Sequence, residues 1–223
     1  MNEKEVVQFL KKNGKTKNVL GMARFGIRPK TKVYGVSVTT LRQLAKEIGI
    51  NHELAQKLFW SNIHECRLLA AIIADYREMT AKEMDLWARD FDSWDICDIS
   101  CLSLFRHSPW AVKKCFKWSK EKKEYYKRAG FALIAALASG KKNKLNNIEF
   151  EKFFPLIINN ATDERNYVKK AINWALRQIG KRNENLRKKA IKIAKEIIVL
   201  DTPSTRFIGG DALRELSARG RIK

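Results

Sequence analysis

Apolar residues recur at helical spacing in nearly every segment of this chain of 223 residues. In segment 167–182, the apolar positions form one stripe at 100° per residue, consisting of Val168, Ile172, Ala175 and Ile179. Such a stripe is the core face of an amphipathic helix. Alternation with a period of two residues, the mark of a strand, does not persist anywhere. The pattern therefore predicts an all-α fold.

Prolines and glycines indicate where the helices begin and end. All four prolines fall at expected helix boundaries, namely Pro29, Pro109, Pro155 and Pro203. In the segment TTLRQLAKEIG, Thr39 or Thr40 is a candidate N-cap and Gly49 a candidate C-cap. The segment KEYYKRAGFALIAALASG is expected to form a helix that ends at Gly140.

The helices appear in pairs that resemble weak internal repeats. A polar beginning followed by an alanine- and leucine-rich helix recurs in ECRLLAAIIA, KRAGFALIAALA and VKKAINWALRQI, at irregular intervals. Two-helix repeats of roughly 40 residues stack into a curved α-solenoid. We expect residues 1–223 to form one such domain with a concave basic groove. A plain helical bundle is the alternative.

The charge of the chain points to a polyanionic partner. The net charge is +21, and residues 112–223 hold 28 basic against 11 acidic side chains. An excess of this size favours nucleic acid or an anionic surface as the partner. Lys188, Lys192 and Lys195 form a basic stripe at helical spacing, for which we favour DNA backbone binding over simple solvation. No apolar run reaches the roughly 20 residues that a membrane span requires.

The four cysteines lie in helical segments, at Cys66, Cys97, Cys101 and Cys115. Buried free thiols of a reducing cytosol explain them most simply. The set Cys97, Cys101, His107 and Cys115 matches no common zinc spacing. We therefore expect no metal at these residues. We also expect no small-molecule cofactor, and a monomer in the cytoplasm that is associated with the nucleoid.

Three side chains stand out as candidates for chemistry. Trp94 and Asp98 share one helix face in the acidic segment DLWARDFDSWDICD, and the apolar surroundings predict a partly buried Asp98. The alternative is a structural role, either as an acid favoured by the helix dipole or in a salt bridge to Arg128, and for Asp95, near the helix start, we prefer this structural role. Trp174 lies off the apolar stripe of its helix, beside Lys170 and Arg177. An indole among cations on a polar face suggests contact with a ligand.

Arg128 opens a helix whose same face carries small residues, Ala132, Ala135 and Ser139. Small residues usually allow close helix packing, and they would equally leave room for a phosphate to approach the guanidinium. The sequence does not decide between helix packing and phosphate binding.

Together these segments resemble the HEAT-like bacterial DNA alkylation repair proteins, which are alkylpurine DNA glycosylases of the AlkD type. The resemblance runs from about Gly21 to Gly180. Its carriers, in order, are YGVSVTTLRQLAKEIG, IHECRLLA, SWDICD, YYKRAGFALIAALA and YVKKAINWALRQIGKR. Ser93 stands where the family motif often has a first tryptophan.

The resemblance implies specific roles. Trp94 and Asp98 match the aromatic residue and the catalytic aspartate of the W-D-x-x-D motif, and Trp174 matches a second active-site tryptophan. Arg128 matches a phosphate-facing arginine of the family. We expect Arg128 to bind DNA together with cations of the basic half, namely Lys169, Lys170, Arg177, Lys188, Lys192 and Lys195. The implied activity is excision of N3- or N7-alkylated, cationic purines from duplex DNA, without a metal and without flipping the base into a pocket.

Two other functions fit the same sequence features. A non-catalytic protein that binds damaged or branched DNA would need the same charge and the same repeats. A protein-interaction scaffold is a third possibility, because a fold does not by itself assign a function.

Overall fold

A computed structural model describes residues 1–140 and 144–219. Within these residues the chain is helical, and the one β contact is an isolated bridge between Lys32 and Ile63. The predicted all-α class is therefore confirmed. The chain divides into two compact units, Met1–Trp110 and Ala111–Lys223. None of the described helices is long and apolar enough to cross a membrane.

The first unit is built from short amphipathic helices. They are α1 Glu3–Asn13, α2 Thr16–Met22, α3 Val38–Ile48, α4 His52–Phe59, α5 His64–Ile73, α6 Ala81–Asp90 and α7 Trp94–Ile99. A 3₁₀ turn, Ala23–Phe25, follows α2, while a π-helical turn, Ser100–Leu104, and a second 3₁₀ turn, Phe105–His107, follow α7.

The core of the first unit lies where α4 and α5 pack together. The rings of Phe59 and Trp87 stack with their centroids 3.9 Å apart, and the guanidinium of Arg67 lies 4.8 Å from the Phe59 centroid. Arg67 also donates to Asp90 and Asp92 at 2.8 and 3.1 Å. The buried cation therefore has both carboxylate and aromatic partners, as a desolvated charge requires.

Helix boundaries in the first unit agree with the sequence in part. Gly49 caps α3 at a positive φ of 73°, as predicted. The N-cap prediction was wrong by two or three residues, because α3 begins earlier and the Oγ of Ser37 accepts the Thr40 amide at 3.1 Å. Ser, Thr and Asp compete for this role on nearly equal terms, so the sequence alone favours no single one.

The second unit is organised around an alanine-rich helix. Its helices are α8 Ala111–Trp118, α9 Glu124–Ser139, α10 Asn147–Glu151, α11 Phe154–Asn160, α12 Asn166–Gly180, α13 Glu184–Val199 and α14 Pro203–Arg219. Helix α9 ends at Gly140 as predicted and packs along α12. Ala132 and Ala135 are fully buried and serve close helix packing, whereas Ser139, the third small residue named above, is exposed.

All four cysteines are buried free thiols, as predicted. Burial raises the pKa of the Cys66 thiol to about 11, and burial also raises that of Cys115. Both sulfurs therefore stay protonated at neutral pH and behave as small apolar groups.

Gly130 sets the approach of α9 to the end of α8. A methyl group at this position would lie 2.5 Å from the Ser119 nitrogen and 2.9 Å from the Trp118 carbonyl carbon, which are backbone atoms. Gly130→Ala should therefore lower the free energy of unfolding by about 1–3 kcal/mol in a urea titration, although alanine favours helices.

The matched control is Gly210→Ala in α14, where an added methyl group meets no atom within 4 Å. This variant should gain up to about 1 kcal/mol from helix propensity and reduced unfolded-state entropy. Equal stabilities for the two variants would contradict the close approach of α8 and α9.

Candidate functional site

Trp94 and Asp98 lie one turn apart on α7, in the first unit. Both side chains are half-buried, which confirms the expectation for Asp98. The indole Nε1 of Trp94 donates to the Phe25 carbonyl oxygen at 3.0 Å and so fixes the ring beside the 3₁₀ turn. The π-helical turn begins two residues after Asp98, and such turns occur often at functional sites.

A buried polar network holds the beginning of α7. The His64 Nε2 and the Asp95 Oδ2 are 2.8 Å apart, and the Ser93 hydroxyl donates to Asp95 Oδ1 at 2.5 Å. The Ile96 amide donates to the same oxygen at 3.0 Å. Burial by itself raises the pKa of Asp95, but the His64 partner and these donors outweigh it, and the pKa lies below its usual value. Asp95 is therefore an ionised anchor of α7.

This network was not predicted from the sequence. The sequence does not indicate that His64 and Asp95 are partners. The two residues are 31 positions apart, on helices whose packing the sequence does not specify. The sequence signal for such a network is a histidine and an aspartate within largely apolar helices. A polar group that is buried there requires a partner.

Arg128 is on α9 of the second unit and is 6% exposed. Its Nη1 donates to the Tyr167 carbonyl oxygen at 2.7 Å, at the beginning of α12. The guanidinium therefore ties α9 to the helix that carries Trp174. A phosphate contact by Arg128 stays a prediction.

Helix α12 presents the apolar face that the sequence predicted. Val168, Ile172, Ala175 and Ile179 are all fully buried. Trp174 is half-buried on the neighbouring face, and Lys170 is exposed. The indole is thus less solvent-exposed than its position off the apolar stripe suggested. Helices α9, α11, α13 and α14 all contact α12.

Two predicted DNA-binding residues of α12 have carboxylate partners within the second unit. Arg177 Nη1 lies 2.8 Å from Glu215 and 3.4 Å from Asp211, both on α14. Lys169 Nζ lies 3.7 Å from Glu164. Their charges are partly neutralised locally, which weakens their attraction for a phosphate.

The stripe Lys188, Lys192 and Lys195 lies on the exposed side of α13. Ala194 is fully buried on the opposite side. Only Lys188 approaches a carboxylate among the described residues, at 3.9 Å from Glu184. These ammonium groups are therefore well placed to exchange counterions for phosphates.

The family model described as DNA alkylation repair enzyme matches residues 6–206. This chain belongs to that family. Trp94, Asp98, Arg128, Trp174 and the α13 lysine stripe all lie within the matched residues. The family is one of DNA repair, so the excess of positive charge has a matching polyanion.

One solved structure supports the fold assignment in detail. It is described as "A new family of proteins related to the HEAT-like repeat DNA glycosylases with affinity for branched DNA structures". It is 25% identical, covers 88% of this chain and 83% of its own, and superposes with a TM-score of 0.77. The fold of HEAT-like helical repeats is thereby confirmed.

A designed armadillo repeat protein is 15% identical over 80% of this chain and 92% of its own, with a TM-score of 0.37, which is too low to support any argument. No curated protein is significantly similar in sequence.

The exposure of the α13 stripe leads to a prediction. Replacing Lys188, Lys192 and Lys195 with Gln should weaken binding to any duplex about equally, damaged or not, because phosphate contacts carry no base information. The slope of log K against log salt should decrease in magnitude by about 0.9 for each lost contact. Fluorescence anisotropy over a salt series measures both effects.

The matched control replaces three exposed lysines of α1, Lys4, Lys11 and Lys12, with Gln, which changes the net charge equally. If both triple variants reduce the slope to the same extent, the effect comes from total charge and the α13 stripe makes no direct contact.

Proposed function

We propose that this protein is a DNA glycosylase that hydrolyses the N-glycosidic bond of purines alkylated at N3 or N7 in duplex DNA. The observation that carries the proposal is the pairing of Trp94 and Asp98, one turn apart and half-buried, in a chain of the DNA alkylation repair family. A carboxylate beside an aromatic ring, in a protein with a charge of +21, suits the recognition of a cation within a polyanion.

The proposed chemistry follows from the charge of the lesion. When the bond from C1′ to the purine nitrogen breaks, its electron pair goes to the cationic purine, which leaves neutral. Positive charge then develops on the deoxyribose, and the Asp98 carboxylate stabilises it. Water adds to C1′, and Asp98 accepts the proton that the water loses. No metal or cofactor takes part in these steps.

The tryptophans have a related role in this proposal. The electron-rich faces of Trp94 and Trp174 favour positive charge by about 0.5–2 kcal/mol, depending on desolvation. The hydrogen bond from Trp94 to the Phe25 carbonyl orients one ring in advance, which lowers the cost of ordering it when DNA binds. Arg128, Lys169, Lys170, Arg177 and the α13 stripe are assigned to the phosphate backbone.

The second candidate function is non-catalytic binding of branched DNA. It is favoured by the described affinity of the solved relative for such structures. Ser93 in place of the first tryptophan of the motif points in the same direction. Release of a methylated base separates the two candidates, because a binder releases none.

Asp98→Asn is the direct test of catalysis. The variant should lose most release of 7-methylguanine from an N7-methylated duplex, while its duplex affinity stays level or rises slightly as one negative charge is removed. Released base is quantified by chromatography, and affinity by anisotropy. Asp85→Asn is the matched control, since Asp85 is also a half-buried acid of the first unit.

The control should retain base release. Full activity in Asp98→Asn would remove Asp98 from the chemistry, and no release by the wild type would leave DNA binding as the function.

Trp174→Ala tests the second aromatic. Because the indole is half-buried, we expect a stability loss of about 1–2 kcal/mol, between the values for exposed and fully buried sites. Excision should fall much further, and Trp174→Phe should retain more of it because an aromatic face remains. Trp60→Ala, which removes an indole that is 51% exposed, should change neither quantity greatly. Wild-type excision by Trp174→Ala would exclude a role for this ring.

A further inference from the structure

The first unit contains a cavity of about 550 Å³. Its walls come from α2, the 3₁₀ turn Ala23–Phe25, the segment 35–38 and the beginning of α5. Apolar side chains line much of it, among them Met22, Ile27, Val36 and Leu68. This volume and mixture of groups are typical of small-ligand sites, which range from about 300 to 1,000 Å³.

Two buried carboxylates and one imidazole lie at the cavity. The Glu65 carboxylate is already hydrogen-bonded to the chain before α3, because its Oε1 accepts the amides of Tyr34 and Gly35 at 3.0 and 2.6 Å. The Asp95 carboxylate is already hydrogen-bonded to His64 and Ser93. The Nδ1 of His64 is buried and has no hydrogen-bond partner within the described residues. A buried polar atom of this kind requires a partner, and His64 is one of the residues that line the cavity.

The rim of the cavity is basic and aromatic. Lys17 and Arg24 line it, and residues 15–32 contain six basic side chains and no acidic one. Phe25 also lines the cavity, although 73% of its surface is exposed. Gly26, at a φ of 72°, turns the chain directly after this ring. A large exposed apolar ring among cations is the combination on which unpaired bases stack.

We propose that this cavity binds one unpaired nucleotide of the bound DNA. The base enters between the apolar walls and hydrogen-bonds to His64, its face stacks on Phe25, and its phosphate contacts Lys17 and Arg24. The inference rests on the proposed DNA binding but not on catalysis, since Asp98 is not among the described residues that line the cavity. A free nucleotide has the same chemistry, so the test includes one.

Gly21 offers a way to fill the cavity. It lines the cavity from α2, and a Cβ built there meets no atom within 4 Å. Gly21→Leu should therefore occupy the space without disturbing the helix. Gly210→Leu in α14 is the matched control, because that glycine is also helical and also has open space around it.

The probes are two duplexes that differ by a single unpaired 2-aminopurine nucleotide. Wild type and Gly210→Leu should bind the duplex with the extra nucleotide about tenfold more tightly than the fully paired one, and its fluorescence should change on binding. Gly21→Leu should lose this preference and keep its affinity for the paired duplex within about twofold. Phe25→Ala, which removes an exposed side chain, should reduce the preference as an independent check.

Deoxyadenosine monophosphate is the competitor that distinguishes the two possible ligands of the cavity, an unpaired nucleotide of DNA and a free nucleotide. Failure to displace the unpaired probe at millimolar concentration assigns the site to DNA, whereas displacement that Gly21→Leu abolishes assigns it to free nucleotides. A wild type without preference, or a Gly21→Leu variant that keeps the preference, overturns the proposal. Release of 7-methylguanine by the same preparations is scored separately, so the glycosylase proposal can fail while this one stands, and the reverse.

Discussion

The hydrogen bond between the buried His64 and Asp95 side chains positions the candidate chemistry of the first unit. At 2.8 Å it joins the beginning of α5 to the beginning of α7, where Trp94 and Asp98 are located. A buried ionised carboxylate is tolerated only with strong partners, and Asp95 has His64, Ser93 and the Ile96 amide. The network is costly to break, and it therefore favours a single placement of α7 over alternatives.

In the second unit, close packing against α9 positions α12, the helix that carries Trp174. Alanines of α9 allow α12 to approach, and Arg128 links the two helices through the Tyr167 carbonyl. Arg128, which is 6% exposed and hydrogen-bonded to a backbone carbonyl, belongs to the packing between α9 and α12.

The charges of the chain are divided between internal pairs and an exposed excess. Arg67, Arg165 and Arg177 each have carboxylate partners, at distances between 2.5 and 3.4 Å. Lys170, Lys192 and Lys195 are exposed. Net charge alone does not distinguish these two groups, yet an anion can approach the second group without first breaking an internal ion pair.

The sequence by itself determined the helical class, the buried face of α12 and the glycine ends of α3 and α9. These features depend on side chains within one or two turns of each other, so a periodic pattern is enough to predict them. It also indicated Trp94 and Asp98, because a spacing of four residues places two side chains on one helix face.

Only the tertiary structure decided the partners of His64 and Asp95, the ion pairs of Arg177 with α14, the half-burial of Trp174 and the cavity beside Phe25. The contacts of His64 with Asp95, of Trp94 with Phe25 and of Arg177 with Glu215 join residues 31, 69 and 38 positions apart, and they arise from the packing of separate elements. Local periodicity carries no information about which helix faces which, and that choice fixes the surroundings of every candidate residue.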